Sequence, residues 1–192
     1  MQYRISDLRC RIRPISKFLP GSWLPNLFMT IPSLPHAKIG MIVGLLEQLN
    51  DHGGKVDIYK LSQSLHFELD DLIPITEAAE LLGFAKIESG DLEFADLGRK
   101  VIDGDENAKK AIFRRQIILN IPLVNRIITE LEKSDDHRIG RERILEFLQY
   151  SFSPQESQRQ LDTVVDWARY AELFDYDPDA DEFFLPETAE TA

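Results

Sequence analysis

From residue 37 onward, apolar residues recur at helical spacing and turn-forming residues punctuate them. Ile39, Ile42, Val43, Leu45, Leu46 and Leu49 mark one face of a helix that Gly53-Gly54 closes. Asp57 suits the N-cap of a short helix carrying Leu61 and Leu65. After a turn at His66–Glu68, Asp70 or Asp71 is placed to cap a third helix running to Leu82. Pro74 falls early enough in that helix to be tolerated, and Gly83 stops it. "FAKIESGDLEF" then reads as two short strands around a Ser89-Gly90-Asp91 turn, and Asp96 opens a further helix, "LGRKVID". Three helices followed by a β-hairpin is the order of a winged helix, a compact variant of helix-turn-helix.

The second half repeats that order. "ENAKKAIFRRQIILN", "PLVNRIITELEK" and "RERILEFLQYSF" are helical, with Pro122 at a natural first-turn position. Ser153-Pro154 is a good N-cap and first residue for the long helix "QESQRQLDTVVDWARYAEL", in which Trp167 lies on or beside the apolar stripe. "AELLGF" from Ala79 and "AELFDY" from Ala171 echo one another, and each hands a helix over to a hairpin. The expected fold is therefore mainly α (α+β), built of tandem winged-helix units over residues 37–104 and 105–187, with a short tail at 188–192.

Residues 1–36 are a different material. Pro14, Pro20, Pro25, Pro32 and Pro35 are half of the chain's ten prolines and keep any element there short. Arg4, Arg9, Arg11, Arg13 and Lys17 face Asp7 alone, a net of +4 that leaves −15 for the rest of a chain whose total is −11. The stretch lacks the unbroken apolar region and small-residue cleavage site of a secretory signal. Its Trp23, Leu24, Leu27 and Phe28 need cover, either on the protein's own core or on another subunit. They are the candidate partner interface, with a second copy of the chain among the partners it suits.

Charge and composition narrow the function. The 192 residues, 43% hydrophobic and 29% charged, are enough for a real core. Cys10 is the only cysteine, so no internal disulfide can form. No apolar run is long enough to cross a bilayer. Phosphate loops, nucleophile elbows and zinc-protease helices are absent, and His36, His52, His66 and His137 are scattered at element ends and loops, where surface or capping roles are expected. No catalytic, cofactor-binding or metal-ligating residue is assigned.

Asp175, Asp177, Asp179 and Asp181 alternate like a calcium loop. Such a loop starting at Asp175 would need glycine at its sixth position and glutamate at its twelfth, where Ala180 and Pro186 stand. The expectation is an acidic hairpin turn. The helices expected to read a groove are acidic as well. Asp70, Asp71, Glu77 and Glu80 stand without Lys or Arg in the first, and carboxylates outnumber Arg159 and Arg169 in the second. DNA phosphates and base edges call for the opposite charge. Lys109, Lys110, Arg114 and Arg115 read as a solvated face of a scaffold helix. A DNA-binding regulator is the alternative reading.

The stretch from "LPHAKIGMIVGLLEQLNDHGG" through "DDLIPITEAAELLGFA" and "LGRKV", with "QLDTVVDWARYAELFDYD", resembles the AAA-associated C-terminal domain. That domain follows the ATPase domain in some ATP-binding subunits of nitrate/sulfonate/taurine-type ABC transporters. The resemblance runs from about Leu34 to about Leu185. It implies a non-enzymatic regulatory or protein–protein interaction module, cytoplasmic or held at the inner membrane through a transporter, with an ATP-binding subunit as protein partner. The ATPase domain that usually precedes it is not in this sequence, which leaves open whether the chain acts in trans on a separate ATPase or has another partner.

Overall fold

Helical periodicity becomes helix wherever the apolar face finds cover, and short strands close the gaps between helices. The computed structural model describes residues 31–186. Its first half runs α1 (Ile39–Asp51), β1 (Lys55–Asp57), α2 (Ile58–Leu65), α3 (Leu69–Leu81), β2 (Ala85–Glu88), β3 (Asp91–Phe94) and α4 (Asp96–Asp103). The second runs α5 (Glu106–Asn120), α6 (Pro122–Lys133), β4 (Arg138–Gly140), α7 (Arg141–Gln149), α8 (Pro154–Tyr170), β5 (Asp175–Asp177) and β6 (Glu182–Phe184). The described residues are thus mainly helical, with eight helices and two three-stranded antiparallel sheets.

The two sheets share one plan. The last strand is central in each, giving the orders β1-β3-β2 and β4-β6-β5. Leu92, paired with Val56 and Ile87, and Phe183, paired with Ile139 and Tyr176, hold corresponding places and are wholly buried. The strands β1 and β4 are additions to the expected helices and hairpins. Each has three residues, too few for alternation to show, and exists because a central strand offers an open edge.

Local signals act as their chemistry requires. The Asp57, Asp105 and Ser153 side chains accept from Lys60 N, Ala108 N and Glu156 N at 2.8, 2.8 and 3.3 Å, capping α2, α5 and α8. Pro122 and Pro154 open their helices. One expected cap moves: α3 begins at Leu69, so Asp70 and Asp71 lie in its first turn, where their charge suits the helix's positive end. Ser89 and Gly90 both take positive φ in the two-residue turn joining β2 to β3.

The echo between Ala79 and Ala171 is real in sequence but offset in space. Phe84 N closes on Ala79 O at the end of α3, whereas at the end of α8 it is Leu173 N that closes on Ala168 O. Ala168, not Ala171, therefore matches Ala79. Glu172 takes the left-handed position that Gly83 fills in the first half.

One buried apolar cluster runs through both halves. Phe113 of α5 joins them, meeting Phe84 edge-on at 4.7 Å and Tyr170 at 5.2 Å between ring centres. Phe84, Phe113, Trp167, Phe174 and Phe183 are fully buried, and each side chain of this size contributes roughly 1.5–3 kcal/mol by leaving water.

Candidate functional site

α3 and α8 hold corresponding places in the two halves, just before the hairpins, and their outer surfaces differ. α8 carries a buried polar stripe, Ser157, Gln160 and Thr163, spaced three residues apart. An extended segment covers it. Gln160 Oε1 accepts from Leu34 N at 2.8 Å, and its Nε2 donates to Leu34 O at 3.1 Å and to Ser33 Oγ at 3.0 Å. One side chain thus pairs with a backbone as a neighbouring strand would. His36 lies against Thr163 Oγ1 and Glu156 Oε1 at 3.3 and 3.0 Å, and Trp167 donates its indole N–H to Ala37 O at 2.7 Å. Ile31, Leu34 and Ala37 are buried with the core. Residues 31–36, the end of the stretch read from sequence as the arm, pack with the folded body.

α3 is open. Its outward side presents Asp70, Asp71, Ile73, Glu77 and Glu80 without a cation. Beside it an open groove of about 240 Å³ runs between α1 and the α2–α3 turn, with Leu45, Leu72 and Ile75 as its buried floor. Met41 and Phe67 form its walls and are 44% and 42% exposed; Ile73 on α3 is 37% exposed. Sequence periodicity missed these three as surface groups. The signal was there in principle, since Met41 and Ile73 stand off the apolar stripes of their helices.

A second, polar groove of about 770 Å³ lies between α8 and the second hairpin. Most of its charges have partners within the protein. Arg141 pairs with Asp162 at 2.9 Å, Arg169 with Asp175 at 2.7 Å, and Asp166 accepts from Ile39 N at 2.8 Å. Burial foremost, then the Glu106 carboxylate, pushes the Tyr170 hydroxyl up to about 12, so it stays protonated in this groove.

The basic stretch on α5 is not simply solvated. Arg114 Nε donates to Ala171 O at 2.7 Å, and Lys110 and Arg114 pair with Glu172 at 2.8 and 3.0 Å. Cations there suit the negative end of α8. Lys110, more than any other group, holds the Glu172 carboxyl below the usual range.

The alternating aspartates belong to the second hairpin, Asp175 and Asp177 in β5 and Asp179 and Asp181 in the turn after it. Asp177 Oδ1 accepts from Asp179 N and Ala180 N at 3.0 and 3.2 Å, and Asp181 accepts from the Tyr176 hydroxyl at 2.6 Å. That bond is the main cause raising the Tyr176 pKa. Among the described residues no group of three or more His, Cys, Asp or Glu is placed to hold a metal ion. His52 and His66 end α1 and α2, and His137 sits in the turn before β4 with Nδ1 3.2 Å from Leu131 O, so these three occupy the expected ends and loops, as does His36 before α1. Trp23, Leu24, Leu27 and Phe28, the interface expected from sequence, lie outside the described residues. Among the described residues no helix is long and apolar enough to cross a membrane.

The family model of the C-terminal AAA-associated domain matches residues 59–177 of this chain. Comparison with curated proteins finds no significant match, and comparison with solved structures finds none either.

Proposed function

The chain belongs to the C-terminal AAA-associated domain family, and from that premise we propose that it is a non-enzymatic regulatory module that contacts an ATPase. The resemblance noted in the sequence points to the ATP-binding subunit of a nitrate/sulfonate/taurine-type ABC importer, with the chain in the cytoplasm or at the inner membrane through that partner. The observation that carries the reading is the unequal treatment of α3 and α8. α8 is covered by residues 31–37 of its own chain, while α3 and its groove offer exposed apolar and acidic groups to a protein surface.

Within this reading the two halves, 37–104 and 105–187, are tandem winged-helix units. The repeated order helix–strand–helix–helix–hairpin and the matching strand orders support that assignment. A nucleic-acid role fits poorly. The helix that would enter a groove is acidic in the first unit and covered in the second, and DNA binding draws its affinity from Lys and Arg against phosphate. In the polar groove Arg141 and Arg169 are paired with Asp162 and Asp175, and Asp166 is engaged with the backbone of Ile39, which favours contact over catalysis.

The test is co-elution of the purified chain with the ATP-binding subunit of such an importer, together with that subunit's rate of ATP hydrolysis. A stable complex with an altered rate is expected. Failure to co-elute, with salt-sensitive binding to duplex DNA instead, would overturn the reading.

A further inference from the structure

We infer that the groove between α1 and the α2–α3 turn seats one amphipathic helix of the partner protein, its apolar ridge flanked by Lys and Arg. This rests on the reading above and names the element of the partner that the open surface takes.

Three observations converge. The first is the groove itself, whose floor is buried Leu45, Leu72 and Ile75 and whose walls, Met41 and Phe67, are left in water. An apolar trough bounded by helices takes the ridge of another helix, with anchors one turn apart.

The second is charge. Glu47 lines the groove, and Glu68, Asp70 and Asp71 stand exposed in the segment between Phe67 and Leu72. Among the described residues no Lys or Arg lines it. Among the described residues none of these four carboxylates takes part in an ion pair. The free charge around the apolar trough is of one sign, so the complement is a helix whose apolar ridge has cationic borders.

The third is backbone access. Gly40 and Gly44 stand one turn apart on the open side of α1, and Gly44 lines the groove. A glycine inside a helix is unfavourable by roughly 1 kcal/mol against alanine. Here the fold itself does not require it, because an added Cβ at either position would meet nothing within 4 Å among the described residues. At Gly98, by contrast, a Cβ would run into Phe84 O. A second helix lying close along α1 supplies the missing reason, since side chains at 40 and 44 would hold it away.

The experiment uses the full chain and three labelled synthetic helices: Leu/Lys, Leu/Glu and Gln/Lys, read by fluorescence anisotropy. The Leu/Lys helix should bind one-to-one and more weakly as salt rises, and the Leu/Glu helix should not bind. Gly44→Leu keeps every charge and removes a helix glycine, so its melting temperature should hold or rise while affinity for Leu/Lys falls at least about tenfold. Met41→Ser, an exposed change in the groove wall, should weaken the same peptide. Equal binding of Leu/Lys to wild type and Gly44→Leu would mean attraction by net charge alone and would overturn the groove. So would Gln/Lys binding as tightly as Leu/Lys. Co-elution with the ATP-binding subunit, repeated on Gly44→Leu, separates the two ideas. A complex that survives the substitution sinks the groove and leaves the functional reading standing. Groove-dependent peptide binding without any complex sinks the reading and leaves the groove.

Discussion

Trp167 of α8 donates its indole N–H to the main-chain oxygen of Ala37, 2.7 Å away and 130 residues earlier in the chain. The bond ties the last long helix to the entry of α1. Both residues are buried, so donor and acceptor depend on each other. Trp167→Ala should cost about 3–5 kcal/mol, the range for large-to-small changes in a packed core. Trp167→Phe keeps most of the packing but orphans the Ala37 oxygen, and should cost about 1–3 kcal/mol. Equilibrium denaturation of both variants checks the order.

Gln160 governs the neighbouring contact. Its amide accepts from Leu34 N and donates to Leu34 O, Ser33 Oγ and Glu156 Oε1. Gln160→Ala should free the segment ahead of α1 while α8 stays folded. Hydrogen exchange is the direct measurement: the Leu34 amide should lose protection in the variant, and amides within α3 should keep theirs.

Gly98 sits in α4 where a Cβ would fall 2.0 Å from Phe84 O and 2.9 Å from Phe94 Cδ1. Helix propensity favours alanine there, and packing forbids it. Because the obstacle is backbone, Gly98→Ala should lower stability by about 1–3 kcal/mol despite the better helix former. A variant as stable as wild type would show that α4 can shift away from β2 and β3 at no cost.

Acid should unfold the protein through a few carboxylates. Lys133, first among its neighbours, holds Glu130 below the usual range, with Arg126 and Arg143 adding to it. Lys110 does so for Glu172, and Gln160 followed by His36 for Glu156. These groups bind protons less readily folded than unfolded. Their contribution is therefore complete above the unfolded carboxylate range, near pH 4.3, and drains away as pH falls through the lower folded values. Melting temperature against pH should be flat near neutrality and fall in acid. Glu130→Gln should make that fall shallower, since it deletes one of the groups that drive it.

The order of helices and hairpins was legible in sequence because its signals are local. Apolar spacing in α1 and α8, Asp57 and Ser153 as caps, Pro122 and Pro154 as first helical residues, and Ser89-Gly90 as a turn act within a few positions of themselves. The acidity of α3 was legible for the same reason: exposed charge needs no partner to be counted. β1 and β4 were not, because a three-residue strand is defined by the edge it joins. The echo at Ala79 and Ala171 misplaced the second helix end by three residues. There Glu172 occupies a left-handed position that Gly83 advertises openly in the first half, while Lys110 and Arg114 hold it from a helix more than fifty residues away.

Sequence alone therefore determined the helices and hairpins, their order and the sign of their charge. Tertiary structure alone decided which surfaces remain available. Ser157, Gln160 and Thr163 are ordinary polar residues until the segment at Leu34 lies across them, and Phe67 is an ordinary apolar turn residue until it walls a groove that no described part of the chain covers. The physical reason is that burial belongs to pairs of surfaces brought together over more than a hundred residues. No window along one strand of sequence contains both members of the pair.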